Sequence, residues 1–368
     1  MSIASLLLLV VAAPPLTQSP LSPDERAPLP GGARGGPVIP GLAEDAVPQG
    51  LAWVPVRSGD RGDGAPRYLI SHDRPGTAAS CVSVLNADDA GALRAVVTLA
   101  EPDGSPHRGH AGGLAAAGGS LFVASDGRVL RFPLAPFLAD VPPESVRALA
   151  VRQDETNADV SAARTVEGGE ELWVGEFAYR SLIPFTKDYP TVPSHHLVDR
   201  VGVKKRAWIV RSDPADPTGR VTGVLSVRTR VQGVCFLPTA DGTPGEVALS
   251  VSYGRTNDST LAFYRDPTAG PPHRTVSVKG RDVPLWFLDA ENHARSVAFP
   301  PMSEGIVRTG GPTPRLAVLT ESGARKFRSG VRDPLDRLAL LPIPERGEPG
   351  DGEPGDAEPL FPRGSVND

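Results

Sequence analysis

The chain has 368 residues and a formal net charge of −5, and its 40 glycines and 40 prolines make up about one residue in five, against roughly 12% in an average protein. Residues 344–368 hold seven acidic residues and two arginines, so this stretch supplies the whole net charge and the rest of the chain is neutral. A neutral body without a basic patch argues against nucleic-acid binding, and glycine without a period of three excludes collagen.

An apolar run of eleven residues, Ile3 to Ala13, comes first along the chain. It is too short to span a bilayer and has the length of a signal-peptide hydrophobic region, and Val11-Ala12-Ala13 offers a small-residue cleavage site. We therefore expect residues 1–13 to be signal-peptide-like and the protein to be secreted or extracytoplasmic. The alternative is a buried or lipid-touching N-terminal segment. No other run is long enough for a membrane span.

The segments that flank the body are rich in Gly and Pro. We predict a Pro/Gly-rich linker over 14–41, one domain over 42–343, and a disordered acidic tail over 344–368, because the tail is charged and nearly free of apolar residues. The 33 arginines against 5 lysines are typical of a high-GC bacterial genome.

Short strands rich in Val, Leu, Ile and aromatic residues, separated by Gly, Pro, Asp and Asn, predict an all-β body. The only helical candidate is Ala139–Arg152. The strands repeat as units that open with a small residue and an apolar strand, followed by a second strand that ends in a polar residue and then by a third. The openings fall at residues 50, 113, 161, 233 and 305.

The steps between openings are 63, 48, 72 and 72 residues, which are blade-sized intervals with insertions when compared with the roughly 40–50 residues of a regular propeller blade. Outer, fourth strands fit at Leu93–Leu99, Val221–Val227 and Val283–Leu288. We therefore predict a single β-propeller of four-stranded blades. Five blades are counted, a count of six fits nearly as well because two intervals are long, and a β-sandwich is the alternative fold. Cys81 and Cys235 lie in apolar strands, which favours buried free thiols over a disulfide.

The blade openings Pro48-Gln49-Gly50-Leu51-Ala52 and Ser303-Glu304-Gly305-Ile306, and the strand end Leu319-Thr320-Glu321-Ser322-Gly323, carry a resemblance to known proteins. Over roughly 48–330 the chain resembles secreted β-propellers of the gluconolactonase, paraoxonase and strictosidine-synthase-like group, and the esterase-like domain related to phytases. The resemblance implies the fold, and it implies a calcium-dependent hydrolase of lactones or of phosphate or carboxylic esters as one candidate activity.

Residues just before each opening strand and just after each second strand should ring one mouth of the central channel. The predicted ring is Gln49, His72, Asp73, His107, His110, Ser125, Asp126, Asp159, Glu176, Gln232, Ser252, Tyr253, Glu304, Glu321 and Ser322. Several carboxylates around one point can hold a hard cation such as Ca²⁺, so Glu176, Glu304 and Glu321 are the candidate metal ligands. His72 and His110 are the candidate general bases. The candidate ligand-binding residues are Gln49, Asp126, Gln232, Ser252 and Tyr253.

Other motifs are absent or uninformative. The sequence has no G-x-S-x-G, H-E-x-x-H or C-x-x-C motif. The insertion at 186–206, with His195 and His196, is interpreted as a surface loop over one face of the propeller.

We expect a polar central pocket that binds a small molecule or a metal, or a scaffold role. The alternatives are the calcium-dependent hydrolase and a protein-interaction platform. We also expect a monomer without a membrane span or a nucleic-acid partner; a small molecule or a protein is the expected partner.

Overall fold

The structure is a computed structural model, and it describes residues 15–343 apart from 31, 45, 56–64, 75, 77, 89–90, 167–168, 181–187 and 240. The predicted signal-peptide-like segment and the acidic tail lie outside the described residues. Within this part of the chain, no helix has the length and apolar character needed to cross a membrane.

Strands dominate the described residues. In chain order they are β1 (Arg34–Val38), β2 (Val47–Val54), β3 (Arg67–Asp73), β4 (Cys81–Asn86), β5 (Leu93–Ala100), β6 (Leu114–Ala117), β7 (Ser120–Ser125), β8 (Arg128–Pro133), β9 (Ser145–Arg147), β10 (Ala150–Gln153), β11 (Val160–Val166), β12 (Gly169–Gly175), β13 (Leu197–Val198), β14 (Lys204–Lys205), β15 (Ala207–Ser212), β16 (Val221–Val227), β17 (Val231–Leu237), β18 (Glu246–Val251), β19 (Ser259–Arg265), β20 (Arg274–Val278), β21 (Arg281–Phe287), β22 (His293–Phe299), β23 (Ser303–Arg308), β24 (Arg315–Thr320) and β25 (Arg337–Pro342). The helices are single turns, namely α1 (Ala135–Leu138), α2 (Arg325–Arg328) and the 3₁₀ turns Pro193–His195 and Pro267–Ala269.

The strands form a five-bladed β-propeller, which confirms the predicted all-β fold and the count of five. In order from the axis outwards, blade 1 is β2-β3-β4-β5-β9, blade 2 is β6-β7-β8-β10, blade 3 is β11-β12-β15-β16-β21-β20, blade 4 is β17-β18-β19-β22, and blade 5 is β23-β24-β25-β1. The five inner strands contact one another in a closed ring around the axis.

Blade 5 joins two distant parts of the chain. Residues 34–38, predicted to lie in a linker, instead form β1, which pairs antiparallel with β25, for example Arg34 with Leu340. The segment before β1 also packs here, since Leu16 and Leu21 are buried and the Leu21 N–H donates to the buried Asp336 carboxylate at 2.9 Å. Pairing between distant strands leaves no signal in local composition, so the linker prediction missed it.

The two long intervals hold insertions and no sixth blade. The interval between the openings at residues 161 and 233 contains the β13–β14 hairpin. The interval between the openings at residues 233 and 305 contains the β20–β21 hairpin, and β21 joins the outer edge of blade 3 by parallel pairing with β16. The predicted outer strand Val283–Leu288 therefore belongs to blade 3, and blade 4 is completed by β22, which pairs with β19.

The predicted helix at Ala139–Arg152 is wrong. This stretch contains the short strands β9 and β10, which pair with β5 and β8 respectively. Pro142 and Pro143 disfavour a helix, and residues 145–147 alternate between exposed and buried, which is the strand period.

The core is a ring of apolar clusters between neighbouring blades. Trp173 of blade 3 packs on Phe236 of blade 4 with ring centroids 5.1 Å apart, and equivalent clusters join the other pairs of neighbours. Cys81 and Cys235 are buried free thiols in this core, as predicted.

Four of the five inner strands carry a glycine, or directly follow one, where they touch the next inner strand. A Cβ added to Gly50 would lie 2.3 Å from the Gly112 oxygen, and one added to Gly113 would lie 2.1 Å from the Ser161 nitrogen. A Cβ added to Gly233 would lie 2.6 Å from Glu304 O, and one added to Gly305 would lie 2.6 Å from Leu51 N. The opening glycines therefore allow backbone-to-backbone contact at the axis.

We expect Gly113→Ala to destabilise the fold by about 1–3 kcal/mol, because overpacking at a rigid backbone contact forces the strands apart. Urea denaturation measures this change. Gly270→Ala is the matched control, since its added Cβ would meet no atom closer than 3.7 Å. Equal stability of the two variants would contradict the role given to the glycine contact.

Candidate functional site

One end of the central channel gathers the predicted polar ring, and we call this end the mouth. Gln49, Gln232 and Glu304 lie near the starts of the inner strands β2, β17 and β23, and each directly precedes one of the opening glycines. The second strand of each blade runs back to the same end, where Glu321 follows β24 and Glu176 follows β12. The repeat rule used on the sequence therefore predicted much of this convergence.

Glu304 and Glu321 form the centre of the mouth. The Gln232 side-chain amide donates to Glu304 Oε1 at 3.0 Å, and the Gln49 amide donates to Glu321 Oε2 at 3.2 Å. Glu304 is only 3% exposed. Among the described residues, no Lys, Arg or His lies within salt-bridge distance of either carboxylate. The two acids are therefore held mainly by neutral amides.

Burial and mutual repulsion disfavour the charged forms of this pair. Burial, and then the neighbouring charges of Glu321 and Asp159, raise the pKa of Glu304 well above its ordinary value. Burial raises the pKa of Glu321 to about 7, although the charges of Lys326 and His110 oppose the shift. The pair therefore holds a proton near neutral pH.

His110 lies beside a second acidic group in the mouth. Its Nδ1 is 3.9 Å from Asp73 Oδ2, and its backbone N–H donates to Asp126 Oδ2 at 2.8 Å. Burial lowers the pKa of His110, but the nearby carboxylate of Asp73 and the charges of Asp159 and Asp126 outweigh it, so that the pKa is raised. Burial raises the pKa of Asp159 to about 6.

Both carboxylate oxygens of Glu176 have hydrogen-bond partners within the protein. His195 Nδ1 lies 2.9 Å from its Oε1, and the Trp208 backbone N–H donates to its Oε2 at 2.8 Å. The His195 ring also stacks on Trp208, with centroids 3.9 Å apart. Burial raises the pKa of Glu176, whereas the hydrogen bond to His195 lowers it.

The three predicted metal ligands do not form one ligand set. Within the described part of the chain, no group of three or more His, Cys, Asp or Glu side chains is placed to hold a metal ion. Glu176 already uses both oxygens, so the carboxylates available at the centre are Glu304 and Glu321. Ca²⁺ takes six to eight oxygen ligands, and these residues as placed do not fit it.

His72 does not reach the mouth. Its ring is fully buried, its Nε2 lies 2.9 Å from Ser83 Oγ within blade 1, and burial lowers its pKa to about 3. The neighbouring Ser71 instead faces the axis side, where its hydroxyl donates to Gly112 O at 2.7 Å. Side chains alternate along a strand, so the prediction of His72 was wrong by one residue of register.

Other predicted residues lie below or beside the mouth. His107 is fully buried between Glu101 and Ser125, and the buried Ser252 hydroxyl accepts a hydrogen bond from Ser259 at 2.9 Å. Asp126 is exposed at the rim.

An aromatic wall, which comprises Phe177, Tyr179, Tyr189 and Tyr253, borders the mouth. Tyr179 and Tyr253 stack with centroids 3.8 Å apart, and Phe177 meets Tyr189 edge-on at 5.1 Å. The Arg230 guanidinium lies 5.1 Å from the centre of the Tyr179 ring. The wall adjoins the acids because the Phe177 N–H donates to Asp159 Oδ2 at 3.4 Å.

Of these residues, the sequence predicted only Tyr253. The rule selected Glu176 after β12 and did not extend to Phe177 and Tyr179. Tyr189 and His195 lie in the insertion, to which the rule does not apply. Arg230 directly precedes β17 and has a φ of +67°, a strained value for a residue other than glycine. Its position just before the opening strand of blade 4 is the signal in the sequence that could have identified Arg230.

Comparison with known proteins finds only distant structural similarity. No protein-family model matches the sequence, and a search of curated proteins returned no match. Among solved structures, the chain is similar to a GH43_1 enzyme from Xanthomonas citri complexed with xylose, with 14% identity, 84% of this chain and 90% of that chain covered, and a TM-score of 0.43.

It is also similar to Carbohydrate-Active Enzymes Family AA12 of Trichoderma reesei, with 14% identity, 89% of each chain covered and a TM-score of 0.39. The Dos1 propeller shows 8% identity over 76% of this chain and 55% of that chain, with a TM-score of 0.31. No residue role is transferred from these structures. The resemblance to gluconolactonases and paraoxonases stays an expectation.

We expect Glu321 to make the free energy of unfolding fall between about pH 5 and pH 8 relative to that of the Glu321→Gln variant. The pKa of Glu321 rises from its ordinary 4.5 to about 7 on folding, so its contribution is full below pH 4.5 and is lost as the pH rises through about 7. Glu321→Gln should remove roughly 1–3 kcal/mol of this loss. Urea denaturation at both pH values measures the effect.

Glu144→Gln is the matched control, since Glu144 is exposed and lies away from the mouth. It should keep the wild-type pH dependence. The same pH dependence in Glu321→Gln as in the wild type would mean that the Glu321 charge is not buried.

Proposed function

We propose that the mouth is a binding pocket for a small organic cation, such as a primary or quaternary ammonium compound. The observation that carries this proposal is the pair of buried Glu304 and half-buried Glu321, which lacks a salt-bridge partner among the described residues and is held by Gln232 and Gln49. Two neighbouring carboxylates that repel each other are stabilised by any cation that enters between them.

The aromatic wall supports the same ligand class. Tyrosine and phenylalanine faces attract ammonium groups, and such contacts contribute about 0.5–2 kcal/mol. The rings of Tyr179 and Tyr253 already attract the Arg230 guanidinium, which lies 5.1 Å and 5.9 Å from their respective centres. An ammonium ligand needs fewer oxygen partners than Ca²⁺, and this agrees with a pocket whose centre offers two carboxylates.

Binding of a cation should release a proton. An incoming positive charge favours the ionised forms of Glu304 and Glu321, and the pKa of Glu321 is about 7 before it arrives. We therefore expect affinity to rise by about tenfold between pH 5.5 and 7.5, with up to one proton released per ligand bound. Calorimetric titration in buffers of different ionisation enthalpy measures both quantities.

The titration panel comprises alkylamines, diamines, choline, Ca²⁺ and neutral sugars. Glu304→Gln and Glu321→Gln should each weaken amine binding by at least tenfold, whereas the exposed Glu144→Gln should leave it unchanged. Tight binding of neutral sugars without proton release, tight binding of Ca²⁺ alone, or no binding of any amine would overturn the proposal.

Hydrolysis is a second candidate, because a carboxyl group with a pKa of about 7 beside a histidine is suited to general acid–base work at neutral pH. His110, whose pKa is raised by its acidic neighbours, is the histidine in the mouth; His72 is removed from this role by its burial in blade 1. The calcium-dependent form of this activity lacks a preformed ligand set among the described residues.

A substrate panel tests this second candidate. It contains lactones, carboxylic esters, phosphate esters and aryl glycosides, the last because paired carboxyl groups are what glycoside hydrolysis requires. We expect any activity to fall by at least a hundredfold in Glu321→Gln and to stay unchanged in His72→Gln variants that fold normally. Turnover that persists in Glu321→Gln would show that the mouth is not the reaction centre.

A further inference from the structure

A second cavity occupies the opposite end of the channel. Its volume is about 840 Å³, and each of the five inner strands contributes to its lining, for example through Trp53, Ala116, Ala163, Phe236 and Val307. These residues lie towards the ends of the inner strands, whereas Gln49, Gln232 and Glu304 lie near their starts. The cavity is therefore axial and separate from the mouth, and we call it the chamber.

The size and lining of the chamber suit a mainly apolar molecule. Ligand cavities typically measure about 300–1,000 Å³ and are lined mostly by apolar and aromatic side chains. Alanines recur around the chamber on β2, β6 and β11, and their small side chains leave its volume open. Trp53, Leu114 and Phe236 supply larger apolar surfaces.

The charged residues of the chamber lining are Arg164, Arg308, Glu170, Asp241 and Asp266. Arg164 is neutralised, since its guanidinium lies 3.2 Å from Asp266 and 3.6 Å from Glu171. The lining acid Asp241 accepts hydrogen bonds from Thr239 and Thr243. Arg308 lines the same cavity and has no hydrogen bond or ion pair from its guanidinium among the described residues. The chamber lining thus offers one guanidinium without an ion-pair partner among the described residues, that of Arg308, although its acidic residues outnumber its arginines.

A buried hydroxyl in the lining also has no partner. Ser161 is 8% exposed, and its Oγ has no hydrogen-bond partner within the described part of the chain. A buried polar group without a partner costs roughly 1–3 kcal/mol, so a ligand atom that accepts this hydrogen bond would stabilise the folded protein.

We propose that the chamber binds an apolar molecule that carries one anionic group, such as a medium-chain carboxylate. The apolar body lies among the alanines, Trp53 and Phe236, and the anionic group contacts Arg308. Arginine is suited to this contact because its planar guanidinium binds a carboxylate through two hydrogen bonds. The site is independent of the cation pocket proposed for the mouth.

Calorimetric titration of the full chain with octanoate tests the proposal, with octanol and octyltrimethylammonium as neutral and cationic probes of the same chain length. We expect one octanoate per chain and at least tenfold weaker binding of the other two. Quenching or shift of the fluorescence of Trp53, which lines the chamber, should follow the same curve and should be absent in Trp53→Phe.

Arg308→Gln should weaken octanoate binding at least tenfold, whereas Arg308→Lys should retain most of it. Arg274→Gln, an exposed arginine on β20 outside the chamber, is the matched control and should bind as the wild type does. Ala116→Leu should weaken all three probes by filling the chamber, and thermal melting verifies that each variant is folded.

Three results would overturn the proposal: no octanoate binding, equal binding of octanol and octanoate, or unchanged octanoate affinity in Arg308→Gln. Failure here leaves amine binding at the mouth untouched, so the two sites are judged separately.

Discussion

The close approach of the five inner strands at the axis is the constraint on which the rest of the structure depends. A side chain at Gly50, Gly113, Gly233 or Gly305 would collide with the backbone of the adjacent blade. Because these contacts fix the start of each blade, they also fix the residues that precede the glycines. Gln49, Gln232 and Glu304 each stand one position before such a glycine, so the contact that closes the ring also brings these polar side chains to one point.

Concentrating acids at that point is unfavourable by itself. Burial raises the pKa values of Glu304, Glu321, Asp159 and Glu176 together, which means that the folded protein holds charge there against a desolvation penalty. The apolar clusters between the blades outweigh this penalty. The mouth is therefore a region where ionisation of the acids is unfavourable and which is supported by the ring of strands around it.

The repeat was readable from the sequence because each blade obeys local rules. Alternating strands and turn residues recur in all five units and opening glycines in four of them, and they predicted the blades and most of the mouth. Contacts between segments that are distant in the chain, or that involve insertions, could not be predicted from the sequence. β1 pairs across about 300 residues, β22 is half polar along its length, and His195 reaches Glu176 from an insertion without a counterpart in other blades.

His72 marks a different limit, since the strand was predicted correctly and the face was not. Ser71 turns towards the axis and His72 away from it. Local composition does not distinguish these alternatives, because the two residues are both polar and lie side by side on a strand that is buried on both faces. Only the packing of the neighbouring blade decides which side chain faces the channel.

The strand β1 ties residues 34–38 to residues 337–342 and so acts as a clasp between early and late parts of the chain. During synthesis, the ring cannot close until the strands of blade 5 have been made. Gln49 of blade 1 meets Glu321 of blade 5 at the boundary where these two blades close the ring. The clasp within blade 5 and this contact at the mouth therefore both wait for the last blade, so the end of the chain is needed before either the ring or the mouth is complete.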